Sequence, residues 1–175
     1  MEQSRKEEIL ERIEKAGNEL EYKTSWDEKG IPVSKKKTEI IKGKKSKKSG
    51  LDFEAKVRAD LEERGWIVCK WVNNIDLIQK KIIPAKRKFN PFSKVMALGT
   101  GFPDFICFQR NEKGYIIWGV ECKSNGQLDR EEKEKCAFLI ENNIFSEVVI
   151  ARKGKDDEKK MEYIFFREKY LKEKS

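Results

Sequence analysis

The sequence predicts an α/β fold, a mixed β-sheet flanked by helices, with a basic extension at its N-terminus. Three observations predict it. Helical and strand-like segments alternate from about residue 50 onward. Two apolar runs, residues 105–108 and 115–120, flank the polar residues 109–114 and read as a hairpin. Upstream of both, lysines crowd into one short stretch.

Each element has its own justification. Residues 2–16 set Ile9, Leu10, Ile13 and Ala16 on one stripe among charges, the pattern of an amphipathic helix. Residues 17–49 hold Gly17, Gly30, Pro32, Gly43 and the lysine run, and read as a flexible or weakly ordered linker. The chain therefore divides into a helix and lysine-rich arm over 1–49 and a folded domain over 50–175. Residues 51–64 carry Phe53, Val57 and Leu61 at i, i+4 and i+8, a buried helical stripe, and Gly65 suits the cap. Residues 66–72 contain Ile67, Val68 and Trp71 and read as a strand; residues 75–78 form a short second one. Residues 79–100 are basic, are interrupted by Pro84 and Pro91, and read as a long irregular excursion. After the hairpin, Asp129 with Glu132 three residues later is an acidic capping box. The helix it opens buries Cys136, Leu139 and Ile140. Residues 147–151 and 161–166 are two further strands joined by a charged turn.

The 175 residues are 40% charged and 38% hydrophobic, so the core is compact. Of the net charge of +8, a surplus of seven lies in residues 35–48, where eight lysines face Glu39. A nearly neutral domain with so dense a cationic arm points to a polyanionic partner. Cys69, Cys107, Cys122 and Cys136 match no zinc spacing and read as small buried residues in a reducing compartment. The chain has no histidine, which excludes imidazole acid–base chemistry and histidine metal sites. The N-terminus is charged from Glu2, unlike a signal peptide. No apolar stretch approaches the roughly 20 residues of a membrane span. A cytoplasmic protein is expected.

The chemistry concentrates around the hairpin. Alternation puts Glu121 and Lys123 on one face of a strand and Val120 and Cys122 on the other. Asp104, after Pro103, heads the neighbouring strand and approaches Glu121 when the hairpin closes. Two adjacent carboxylates repel, and a bound Mg²⁺ or Mn²⁺ would relieve the repulsion. Glu54, in the first turn of the helix expected from residue 50, is a third acid leading into the same sheet.

Together, Gly50-x-x-x-Glu54, Pro103-Asp104 and Glu121-Cys122-Lys123 resemble the motifs of the PD-(D/E)XK nucleases. The spacing from Glu54 to Gly65-Trp66 is similar to that of archaeal Holliday junction resolvases. The residues from Lys123 to Lys133 are closer to the VRR-NUC branch. The resemblance covers about residues 50–151. It implies a restriction-endonuclease-like core and a Mg²⁺-dependent DNA endonuclease acting on branched, flap or junction DNA, with a homodimer as a related arrangement. It implies that Asp104, Glu121 and the Cys122 carbonyl ligate the metal, that Glu54 assists directly or through water, and that Lys123 serves the attacking water or the developing charge. Where the branch often carries a glutamine after Glu-x-Lys, this chain has Glu131 and Glu132. Where the resolvases have a short loop, it has residues 73–100. The alternative is a DNA-binding protein that keeps the fold without turnover.

Two groups of cations are expected on the DNA backbone: Lys35, Lys36, Lys37, Lys44, Lys45, Lys47 and Lys48, and Lys86, Arg87, Lys88 and Lys94. Phe89 and Phe92 are candidates for stacking on unpaired bases.

Overall fold

A computed structural model describes residues 2–84, 87–90, 95–98, 101–155 and 160–171. The chain forms two compact units, Met1–Leu51 and Asp52–Ser175.

In the first unit, helix α1 (Glu2–Gly17) precedes an antiparallel hairpin of β1 (Tyr22–Trp26) and β2 (Pro32–Lys36), paired from Tyr22↔Lys36 to Trp26↔Pro32. Asp27 organises the turn, its carboxylate accepting the Lys29 and Ile31 amides, and Gly30 takes a positive φ. Helix α2 begins directly after β2 and runs over Lys37–Glu63. The stretch expected to be a linker is thus hairpin and helix. Among the described residues of this unit no hydrophobic side chain is buried; Ile9, Leu10 and Ile13 are half or more exposed. The lysines from Lys35 to Lys48 are all exposed.

The second unit is a mixed α/β layer structure. Its five-stranded sheet has the order β11 (Met161–Phe165), β10 (Glu147–Lys153), β9 (Gly114–Cys122), β8 (Phe105–Asn111) and β3 (Ile67–Lys70). β9 and β10 run parallel, joined through α3 (Arg130–Glu141); the other neighbours are antiparallel. The end of α2 buries Phe53, Val57 and Leu61 against Trp66, Val68, Phe105, Cys107, Val120 and Ala151. α3 buries Cys136, Leu139 and Ile140 against Phe145, Val148, Ile150 and Phe166. Alternation along each strand supplies both layers, so Ile106 and Ile117 join the α3 cluster while Cys107 and Trp118 join the other.

The cap of α2 is as the sequence predicts. Gly65 has φ 82°, its amide bonds the Glu62 carbonyl, and the Trp66 amide bonds that of Leu61. The Asp129–Glu132 capping box is formed in both directions. Residues 79–100 depart from expectation. β4 (Asn73–Asp76) pairs with β5 (Lys81–Pro84), and β6 (Arg87–Asn90) pairs with β7 (Val95–Leu98). Lys86, Phe92 and Lys94 lie outside the described residues, as do the side chains of Lys88 and Phe89; Arg87 is exposed. Cys107 and Cys136 are buried and Cys122 is half-buried, whereas Cys69 is exposed, contrary to its expected burial on a strand. It lies on β3, at one end of the sheet order, where alternate side chains face outward. No helix is long and apolar enough to cross a membrane among the described residues.

Candidate functional site

The hairpin register sets the site. Phe105 pairs with Val120, so Asp104, just before β8, comes level with Glu121 near the end of β9. Asp104 Oδ2 accepts the Cys122 amide at 2.9 Å, and the Asp104 carbonyl accepts the Trp71 amide at 3.1 Å. The approach is close: a Cβ on Gly101 would lie 2.5 Å from the carbonyl oxygens of both Trp71 and Asn73, so only glycine fits there. The Phe102–Pro103 peptide is cis.

Glu121 lies on the middle strand with Ile150 as its parallel neighbour, and is 6% exposed. Burial, and then the Asp104 charge, push its pKa up to about 8; Lys123 pulls the other way. Burial likewise raises Asp104, helped by the Glu54 charge and opposed by the Cys122 amide and Lys70.

Two ion-paired groups result. In the first, Lys70 at the end of β3 reaches Glu54 Oε2 at 2.6 Å and Asp104 Oδ1 at 3.6 Å. Its ammonium also lies 4.8 Å from the centre of the Phe105 ring. In the second, Lys123 lies 3.5 Å from Glu121 Oε1 and is hydrogen-bonded to Glu132 of α3. Burial is the largest single influence on each lysine and opposes its charge, but the hydrogen bonds they donate to Glu54 and Glu132, together with the charges of the neighbouring carboxylates, outweigh it, and both pKa values stand above the ordinary one. The Asp104–Cys122 bond and the Asp104 field on Glu121 connect the groups.

Glu54, Asp104, Glu121, Cys122 and Lys123 are therefore brought to one region of the second unit, though the acids divide between two lysines. Among the described residues, no three His, Cys, Asp or Glu side chains are grouped closely enough to hold a metal ion. Glu54 is not in a first helical turn, because α2 starts at Lys37; it is an interior residue beyond the reach of the helix-end dipole. Lys70 and Glu132 are site residues that sequence reasoning misses. Their only sequence signals are a cation closing a strand and the third position of a capping box.

The lysine run occupies the end of β2 and the first turns of α2. Lys37, Lys44 and Lys48 recur at i, i+7 and i+11, which puts them on one helical face, and Lys45 and Lys47 flank it.

No protein-family model, curated protein or solved structure matches this chain.

Proposed function

We propose that the chain is a divalent-metal-dependent endonuclease of the PD-(D/E)XK kind, cutting phosphodiester bonds in DNA. The observation that carries the reading is the Asp104 bond to the Cys122 amide beside a buried Glu121. Asp104, just before β8, stands level with Glu121 on β9 there, and Lys123, 3.5 Å from Glu121, is the cation paired with it. That chemistry fits a hard divalent ion, which takes one or two carboxylates and completes its shell with water and phosphate oxygens. Asp104, Glu121 and the Cys122 carbonyl would hold Mg²⁺ or Mn²⁺, with Glu54 assisting through water. Such an ion lowers the pKa of a bound water and polarises the phosphate.

The chain's own residues supply the rest. Lys123 presents positive charge where a phosphate in transit gains negative charge. The order of sheet and helices around Asp104 and Glu121 is compatible with a restriction-endonuclease-like core. The exposed lysines of β2 and α2 suit contact with the DNA backbone without regard to sequence. The test is cleavage of labelled linear, flap and four-way DNA with Mg²⁺, Mn²⁺ or EDTA. Wild type cuts with metal, and Asp104→Ala binds without cutting.

A second reading, a DNA-binding protein that keeps the nuclease fold without turnover, is favoured by the Lys70 ammonium already shared between Glu54 and Asp104. Binding by both proteins with cleavage by neither selects it.

A further inference from the structure

We infer that Glu132 is a positioning residue that fixes the Lys123 ammonium, an inference that rests on the nuclease reading for its catalytic meaning. Lysine carries its charge on a flexible four-carbon stem and cannot by itself hold one direction. Lys123 follows the last residue of β9, with its amide bonded to the Ala151 carbonyl, so only its backbone is fixed by the sheet. Two carboxylates from different elements then fix the side chain: Glu121 from the strand at 3.5 Å and Glu132 from α3.

Glu132 is itself immobilised. Its Oε2 accepts the Asp129 amide at 2.9 Å, and its own amide donates to Asp129 Oδ1 at 2.8 Å. The helix beneath it is anchored by buried Cys136, Leu139 and Ile140. One carboxylate thus performs two tasks, with one oxygen closing the helix start and the other, Oε1, holding the ammonium. Glu132 takes one of the three ammonium donors, and Glu121 stands within ion-pair distance of the same group. A neutral residue at position 132 could still cap the helix, but it would hold the lysine less firmly.

The experiment separates capping from positioning. Glu132→Gln keeps an oxygen for the Asp129 amide and loses the charge; kcat for DNA cleavage falls about tenfold to a hundredfold with KM and melting temperature near wild type. Asp129→Ala removes one half of the cap but keeps the backbone amide that Glu132 Oε2 accepts and the charge of Glu132; melting temperature falls, and kcat falls less than in Glu132→Gln. Nitrogen-15 spectra of the lysine ammonium groups give a readout independent of activity. A protected Lys123 signal, assigned by its loss in Lys123→Met, disappears in Glu132→Gln. If Glu132→Gln does not fold, Glu132→Asp, one methylene shorter, carries the same expectation. An active wild type with unchanged kcat in the Glu132 variant overturns the inference. If wild type cuts no DNA, the nuclease reading fails separately and the spectra decide: a Lys123 signal that persists without Glu132 overturns the inference, and its loss upholds it.

Discussion

The Lys70 ammonium stands 2.6 Å from Glu54 Oε2, on a helix sixteen residues earlier in the chain, and 3.6 Å from Asp104 Oδ1. Under the proposed nuclease reading, a metal cation would have to compete with this ammonium for the two carboxylates. Replacing it with an uncharged residue of similar length leaves Glu54 and Asp104 repelling each other. Lys70→Met is therefore expected to bind Mn²⁺ several-fold more tightly than wild type, as read by calorimetry at neutral pH. Equal affinities would show that the lysine does not compete for the site.

Stability without metal should depend on pH through Glu121. Its folded pKa is about 8, against about 4.3 for a glutamate in an unfolded chain. Between those values the folded chain keeps a proton that the unfolded chain has released, so stability falls as pH rises. The contribution is whole below the unfolded value and is lost as pH passes through about 8, at about 1.4 kcal/mol for each unit of separation. The raised pKa of Asp104 acts in the same direction. Urea midpoints measured in EDTA should decline across this window, and Glu121→Gln should flatten the decline. A level wild-type profile would falsify the assignment.

Gly101 sets the approach of the chain to Asp104. An added methyl would meet two backbone carbonyls at 2.5 Å, atoms that cannot swing aside as a side chain end can. Gly101→Ala should cost about 1–3 kcal/mol by overpacking. It should also displace Pro103 and Asp104, so cleavage falls further than the stability loss explains. Denaturant midpoints and single-turnover rates check the pair of effects; unchanged values for both would refute the close approach.

The helical lysines lend themselves to charge removal, because deleting residues 1–48 would cut through α2. Glutamine keeps the helix propensity of lysine. Changing Lys44, Lys45, Lys47 and Lys48 to Gln should weaken DNA binding and lower the log–log salt slope by about 0.9 for each phosphate no longer neutralised. Cleavage at low salt should persist. An unaltered slope in fluorescence anisotropy titrations would remove these lysines from the interface.

What the sequence reveals follows from how local each signal is. The hairpin of β8 and β9 announces itself through two apolar runs around a polar turn, and α3 through Asp129 and Glu132. The buried stripe Phe53, Val57 and Leu61 marks the end of α2. Its first half does not show, because Lys42 to Lys48 bury nothing and leave no apolar period. β1 and β2 are hidden likewise, since Lys23, Ser25, Lys35 and Lys36 are exposed and the middle pairs, Lys23↔Lys35 and Thr24↔Ser34, are polar. At the site, Asp104 and Glu121 are readable because one tight hairpin joins them. Lys70 is not, because its meeting with Glu54 and Asp104 is fixed by the β3–β8 register and not by any nearby residue. Glu132 reads as a cap, and nothing local announces that its second oxygen faces a lysine nine residues away.

The exposed thiol of Cys69 has a practical consequence. Burial pushes the thiol of Cys107 up to about 12 and raises those of Cys122 and Cys136 as well, which leaves them poor nucleophiles at neutral pH. A maleimide dye would therefore label β3 selectively, one residue from Lys70. Its fluorescence would report the movement of that ammonium without any alteration to the acids it serves.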